Sequence, residues 1–82
     1  MTTSDAIRQK IQDLARDLGR SPRPVTDDDV LPQTGLLDSA AILELILWVE
    51  TEYDIEVPQE DFTLDNLGSI RQIVAYIDSR RA

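Results

Sequence analysis

Apolar residues recur at the spacing of amphipathic helices in three parts of this chain. Near the N-terminus they stand three or four positions apart, with charged residues between them, at Ile7, Ile11, Leu14 and Leu18. This pattern predicts a first helix over residues 4–18, which Thr3 or Ser4 caps and Gly19 ends. Asp5 suits the positive end of such a helix.

The middle of the chain holds the strongest apolar segment and predicts a second helix over residues 39–53, with Asp38 as its N-cap. Its core face is expected to consist of Ile42, Leu45, Ile46, Val49 and Tyr53. Leu43, Leu47 and Glu50 fall on another flank, close to the direction of the first residue of the helix. Two roles are open to the two leucines: burial beneath the preceding loop, or exposed docking positions.

A long loop precedes the second helix. Residues 19–38 hold three of the four prolines, two of the three glycines and a run of three aspartates, which predicts a connection without regular structure. Its apolar residues are expected to pin it to the core: Val25, Val30, Leu31, Leu36 and Leu37. The aspartate run, residues 27–29, is interpreted as a solvated turn, because it lacks the spacing of a calcium-binding loop.

The last third of the chain predicts a short helix and a longer closing one. Residues 54–58 alternate like a strand, but a proline ends the run too early for a sheet. A short or 3₁₀ helix is expected around residues 58–62, with another turn at 64–67. Ser69 and Gln72 stand at the two positions of a capping box for the closing helix. Its core stripe is Ile70, Ile73, Val74 and Ile77.

The predicted fold class is all-α: a small four-helix bundle of three main helices plus a short third helix, with a long loop between the first two. With 82 residues the chain is expected to form one domain, residues 1–82. It has no signal-peptide pattern and no apolar run of membrane-spanning length. We therefore expect a free-standing cytoplasmic monomer that does not enter a membrane.

The formal net charge of -8 is unevenly distributed along the chain. Between Pro24 and Ile70 there are twelve carboxylates and no basic residue, which predicts a negative field over the middle of the molecule. Such a field attracts cationic partners and repels phosphate backbones, so nucleic-acid binding is not expected. Solubility alone would also account for an acidic composition.

The residue types that are missing limit the chemistry. The chain contains neither cysteine nor histidine, so it lacks thiolate ligands, disulfides and the commonest general base. Pairs of carboxylates, such as Glu50 with Asp54 or Glu56 with Glu60, would need a pocket that a bundle of this size scarcely offers. We expect no metal site and no catalytic residues, and hence no enzyme.

Ser39 is the strongest candidate for chemistry in the sequence. It follows the acidic loop in the run Gly-Leu-Leu-Asp-Ser, where a helix N-terminus favours a phosphate ester. Asp38 already supplies the cap, and Ala41 at N3 leaves no capping box, so Ser39 has no evident structural duty. Ser39 is therefore a candidate for covalent attachment rather than only a residue at a helix start.

Three stretches of the sequence resemble the acyl carrier protein family, including its peptidyl and aminoacyl carriers. They are Gly35-Leu-Leu-Asp-Ser39, the segment from Glu50 to Pro58 and the segment from Phe62 to Ile77. The resemblance implies that a separate transferase attaches 4′-phosphopantetheine from coenzyme A to Ser39, with Asp38 beside it in the cofactor site. The thiol of that group would hold the cargo as a thioester.

The same resemblance implies the partners and the surface that meets them. Expected partners are a phosphopantetheinyl transferase, an acyl- or aminoacyl-loading ligase and a downstream transferase or synthase. Asp38 and Glu44 match acidic recognition positions of the family, and Leu43 and Leu47 match its apolar docking positions. The whole partner-binding set is Leu37, Ala40, Leu43, Glu44, Leu47 and Glu50.

Two alanines depart from the pattern of housekeeping fatty-acid carriers. Ala40 stands where many members have leucine, and Ala41 stands where fatty-acid carriers have an acid. The resemblance thus favours an amino-acid carrier, such as a D-alanyl carrier, or a carrier of specialised nonribosomal peptide or polyketide pathways. Two alternatives are an unmodified acidic adaptor that binds a protein partner through the second helix, and a serine hydrolase, which the missing histidine disfavours.

Overall fold

Three long helices and two short ones make up the computed structural model of the chain, which describes residues 2–20 and 24–81. In chain order they are α1 (Thr3–Asp17), α2 (Leu31–Thr34), α3 (Ser39–Tyr53), α4 (Leu64–Leu67) and α5 (Ile70–Arg81), with a 3₁₀ turn at Gln59–Asp61. No strand occurs among the described residues, and the predicted all-α fold class is confirmed. The 3₁₀ turn and α4 lie where the short third helix was expected.

α1 begins one residue earlier than the sequence pattern indicates. Thr2 is extended, and its hydroxyl accepts a hydrogen bond from the Asp5 N–H at 3.1 Å, while Asp5 Oδ2 accepts one from the Thr2 N–H at 3.3 Å. The expectation of a cap at Thr3 or Ser4 is therefore wrong, and Ser4 instead donates to a carboxylate in the following loop. Gly19 follows the helix with a φ of 76°, as its predicted role requires.

The connection between α1 and α3 contains one more helix than the sequence predicts. α2 occupies Leu31–Thr34, with a proline in its first turn and Gly35 after it at a φ of 75°. The Thr34 hydroxyl donates to the Leu31 carbonyl at 2.7 Å. The prediction of a continuous loop over residues 19–38 is wrong here, because four residues are too few to show a helical period.

The apolar residues of this connection pack on the core as predicted, with one exception. Four of them are buried: Val25, Leu31, Leu36 and Leu37. Val30 is only half-buried. The burial of Leu36 and Leu37 fixes the chain immediately before α3 begins, so the first residue of α3 has a defined position on the bundle.

Polar contacts from both flanking helices also hold the connection. Arg8 of α1 donates to the Val25 carbonyl at 2.9 Å and pairs with the Asp27 carboxylate. Arg71 of α5 pairs with Asp28, with 2.5 Å between Nε and Oδ1. The hydrogen bond from Arg71, together with its charge, lowers the pKa of Asp28 below its ordinary value. The aspartate run is a turn, as interpreted, and Asp28 is exposed. Asp27 and Asp28 also tie this turn to α1 and α5, which the sequence did not indicate.

Hydroxyl groups cap the last two helices. The Thr63 hydroxyl accepts from the Asn66 N–H at 3.2 Å at the start of α4. The Ser69 hydroxyl accepts from the Gln72 N–H at 3.2 Å, as expected for the cap of α5. A capping box would also have the Gln72 side chain accept from the Ser69 N–H. Instead, Gln72 Oε1 accepts a hydrogen bond from the Ser69 hydroxyl at 3.1 Å, so only the first half of the predicted capping box forms.

One aliphatic core joins the three long helices. Its largest fully buried side chains are Ile7, Ile11, Leu31, Leu45, Ile46, Val49, Ile70, Ile73 and Ile77. Ile42, Tyr53 and Val74, which were expected in the core stripes, pack against its edge. Full burial of such a side chain contributes roughly 1.5–3 kcal/mol, so these positions stabilise the bundle substantially.

A buried tyrosine links the 3₁₀ turn to α5. Tyr76 Oη donates a hydrogen bond to Asp61 Oδ2 at 2.7 Å. Burial, and after it this hydrogen bond, raises the pKa of Tyr76 to about 12. The folded protein therefore favours the neutral phenol over a wider pH range than the unfolded chain does.

We predict that Asp61→Ala lowers the pKa of Tyr76 toward the ordinary 10.0, because the phenol loses its acceptor. Ultraviolet titration in a Tyr53→Phe background, which leaves one tyrosine, measures this pKa. Since the folded-state pKa is raised, the stabilisation is complete below pH 10.0 and is lost as the pH rises to about 12. An unchanged titration of Tyr76 in Asp61→Ala would contradict this account.

Candidate functional site

One carboxylate defines the start of α3. Asp38 is extended, and its Oδ1 accepts a hydrogen bond from the Ala41 N–H at 2.8 Å. Its carbonyl accepts the first helical hydrogen bond, from the Ile42 N–H at 2.9 Å. Asp54, with a φ of 53°, ends the helix in the left-handed conformation. The predicted cap and the predicted bounds, Ser39–Tyr53, are both confirmed.

Ser39 is the first residue of α3 and is exposed, as are its neighbours Asp38 and Ala40. Within the described part of the chain its hydroxyl makes no hydrogen bond, since Asp38 supplies the cap. The N–H groups of a first helical turn lack partners within the helix and carry partial positive charge. A phosphodiester on Ser39 would lie in this favourable field with open space around it, so the residues present fit such a group.

α3 has a buried face and an exposed one. Its buried residues are Ala41, Leu45, Ile46 and Val49. Leu43 and Leu47 lie on the exposed face, with 48% and 52% of their surface accessible. Burial beneath the preceding loop, one of the two roles open to these leucines, therefore does not occur.

The six residues expected at a partner surface do not all reach the surface. Four of them are exposed: Ala40, Leu43, Glu44 and Leu47. Leu37 is only 4% exposed and belongs to the core. Glu50 is half-buried, and its carboxylate accepts a hydrogen bond from the Val57 N–H at 3.0 Å. Leu37 therefore belongs to the core rather than to an exposed surface, whereas a partner contact by Glu50 stays a prediction.

The surroundings of Ser39 are acidic. α3 carries Glu44, Glu50 and Glu52 and no basic residue.

Among the described residues, no group of three acidic, histidine or cysteine side chains is placed to hold a metal ion. None of the helices in the described part of the chain is long and apolar enough to cross a membrane.

A cleft beside Ser39 is a feature that sequence-based reasoning missed. It has a volume of about 120 Å³ and lies between the last turn of α1 and the first turn of α3. Ala40 and Ala41 are among its lining residues, and their small side chains leave this space open. The paired alanines are the sequence signal that could have indicated it, but the cleft itself depends on how α1 packs against α3.

Comparisons with known proteins agree with this geometry. The family model described as "Phosphopantetheine attachment site" matches residues 7–77. A D-alanyl carrier protein from Leuconostoc mesenteroides is 32% identical over 75 residues, which span 92% of this chain and 95% of that protein. An acyl carrier protein from Rickettsia canadensis is 28% identical over 83 residues, which span 100% of this chain and 94% of that protein.

A solved structure is similar over nearly the whole bundle. It is the crystal structure of the Bradyrhizobium japonicum glycine:[carrier protein] ligase complexed with glycylated carrier protein. The matched chain, the carrier protein of that complex, aligns with a TM-score of 0.78 at 26% identity. The alignment covers 90% of this chain and 96% of that chain.

We predict that Asp38→Ala lowers the free energy of unfolding by about 1 kcal/mol, because the Ala41 N–H loses its acceptor. The neighbouring substitution Ser39→Ala is the control and should leave this free energy nearly unchanged. Urea unfolding followed by the fluorescence of Trp48, which packs edge-on against Tyr53 at 6.0 Å, measures both variants. Equal stabilities of the two variants would contradict the assignment of the cap.

Proposed function

Since the chain belongs to the family of carrier proteins with a phosphopantetheine attachment site, we propose that Ser39 is the residue that carries the group. Proteins of this family present cargo to enzymes and are not catalytic themselves. Their prosthetic group, a covalently bound 4′-phosphopantetheine, supplies the thiol on which cargo is held as a thioester. The observation that carries the proposal is the exposed Ser39 hydroxyl, which makes no hydrogen bond to any of the described residues.

Asp38 acts as a positioning residue in this proposal. Its carboxylate accepts a hydrogen bond from the Ala41 N–H, which fixes the first turn of α3. Ser39 therefore lies on an ordered helix rather than in a loop. A transferase can therefore bind the hydroxyl without first ordering the chain around it, which lowers the cost of association. The positive end of the helix also favours the phosphodiester that the transfer leaves on Ser39.

The successive partner enzymes are proposed to share one surface of α3. It consists of Ala40, Leu43, Glu44 and Leu47, and is called the α3 docking surface below. The two leucines offer apolar contact area, and the acidic side chains of α3 attract basic enzymes. A phosphopantetheinyl transferase, a loading ligase and a downstream transferase or synthase would each bind there in turn. A small interface of this kind allows each partner to leave quickly.

The cargo is proposed to be an amino acid. Two of the similar proteins are named for such cargo, the D-alanyl carrier protein and the glycylated carrier protein. Ala40 and Ala41 also depart from the pattern of fatty-acid carriers. The proposed loading enzyme is thus an amino-acid ligase, in a specialised pathway of the aminoacyl, nonribosomal peptide or polyketide type.

Replacing Ser39 by alanine is expected to abolish modification while the protein stays folded, because the hydroxyl is the acceptor and bonds nothing else in the described structure. The assay is transfer from fluorescently labelled coenzyme A by a broad-specificity phosphopantetheinyl transferase. Ser79→Ala, at an exposed serine near the end of α5, is the control and should be labelled like the wild type. Labelling of Ser39→Ala would contradict the assignment of Ser39 as the attachment residue. A wild type that is folded but not labelled would favour the unmodified adaptor.

Leu47→Asp is expected to reduce amino-acid loading by about tenfold, because it places a charge within the apolar part of the α3 docking surface. The holo-protein is incubated with the Bradyrhizobium japonicum glycine:[carrier protein] ligase, glycine and ATP, and glycylation is followed by intact mass. The control is Leu64→Asp, at a leucine of α4 that is 57% exposed. Equal losses in both variants would argue against a surface on α3. No glycylation of the wild type by a ligase active on its own carrier would count against amino-acid cargo.

A further inference from the structure

A second cavity lies between residues 24–30 of the connection and α2, and is called the α2 cavity below. Its volume is about 360 Å³, which is within the roughly 300–1,000 Å³ of small-molecule sites. The described lining consists of Pro24, Asp29, Val30, Gln33 and Thr34. The α2 cavity is therefore large enough for a small polar group at the end of a flexible chain.

One carboxylate in the α2 cavity has an oxygen to spare. Asp29 is half-buried, and its Oδ2 accepts a hydrogen bond from the Thr26 N–H at 2.9 Å. Within the described part of the chain, Asp29 Oδ1 and the side chain of Gln33 make no hydrogen bond or ion pair. The described lining contains no basic residue, and Pro24 and Val30 supply its apolar side. Such a lining suits a small cation that carries little apolar surface.

A group attached to Ser39 is long enough to reach the α2 cavity. Thr34 precedes Ser39 by five residues, so their Cα atoms are at most roughly 18 Å apart. Gly35 turns the chain between them, with a φ of 75°, which shortens this separation. 4′-Phosphopantetheine has about 14 covalent bonds between the serine oxygen and its sulfur, which equals the length of nearly five extended residues. Its far end can therefore lie against α2.

An amino acid held as a thioester differs from a simple acyl group because it keeps its α-amino group. Near neutral pH this group is largely an ammonium ion, which a carboxylate can bind. Resting on the proposed role of Ser39 and the proposed amino-acid cargo, we propose that the α2 cavity receives this ammonium group, which pairs with Asp29. The tether holds the ammonium at an effective concentration on the order of millimolar, so a weak ion pair gives partial occupancy.

A groove of similar size on α1 does not suit the same group. Its lining residues are Asp5, Arg8, Gln9 and Gln12, and Arg8 pairs with the Asp5 carboxylate at 2.9 Å. A guanidinium in this position repels an ammonium ion. The α1 groove therefore serves as an internal reference in the experiment.

Nuclear magnetic resonance of the isotope-labelled protein tests the proposal. A broad-specificity phosphopantetheinyl transferase attaches arms from three coenzyme A analogues: without cargo, with glycyl cargo, and with glycolyl cargo, in which a hydroxyl replaces the ammonium. An amide replaces the thioester in both cargo-bearing arms and prevents hydrolysis. We expect the Thr34 N–H and the side-chain amide of Gln33 to shift with the glycyl arm only. The N–H signals of Arg8 and Gln9, in the α1 groove, should stay unchanged.

Asp29→Asn removes the charge but keeps an oxygen that can accept from the Thr26 N–H. It should reduce the glycyl-dependent shifts of Gln33 and Thr34 several-fold. Asp78→Asn, at an exposed residue near the end of α5, removes the same charge and should leave these shifts unchanged. Circular dichroism checks that both variants are folded.

Equal shifts with the glycyl and glycolyl arms would overturn the proposal, because the arm itself would then make the contact. This comparison uses the wild type, so it does not depend on the folding of a variant. Undiminished shifts in Asp29→Asn would also overturn the proposal. A protein that is modified at Ser39 but shows no shifts would reject this proposal alone. A wild type that is never modified at Ser39 would reject the proposed function, and the proposal with it.

Discussion

The hydrogen bond from the Ala41 N–H to the Asp38 carboxylate decides where α3 begins, and the rest of the candidate site depends on that point. If Ser39 were the cap, its hydroxyl would be occupied by an N–H of the first turn. Because Asp38 has that task, the Ser39 hydroxyl makes no hydrogen bond within the described part of the chain. The buried side chains of Leu36 and Leu37 hold the preceding chain, so the cap forms at a fixed place on the bundle.

The acidic residues of this protein divide into two groups with different consequences. The first group makes contacts within the fold and includes Asp27, Asp28, Asp38, Glu50 and Asp61. Asp17 and Glu44 belong to the second group, whose side chains make no such contact in the described part of the chain. Net charge alone does not separate these groups, because both attract cations at long range. Only the second group is free to pair with a partner at short range without loosening the bundle.

Sequence reasoning succeeded where a helical period or a local capping rule determines the structure. The bounds of α3, its cap at Asp38 and the cap of α5 at Ser69 follow from such rules. α2 shows no period because it is only four residues long, and Thr2 could not be distinguished from its hydroxyl-bearing neighbours as a cap. The ties made by the aspartate run join residues 19 and 43 positions apart, and such contacts depend on tertiary packing. The cleft between α1 and α3 also depends on tertiary packing. The sequence therefore indicated Ser39 but did not indicate the cleft beside it.

The most direct test of the central claim is the position of the phosphopantetheine group on the wild-type protein. The protein is incubated with coenzyme A and an active phosphopantetheinyl transferase, and its intact mass and fragment masses are then measured. Our account predicts the gain of one phosphopantetheinyl group, all of it on Ser39. The other serines, Ser4, Ser21, Ser69 and Ser79, should remain unmodified. No gain by the folded protein, or a gain on any other serine, would contradict the account.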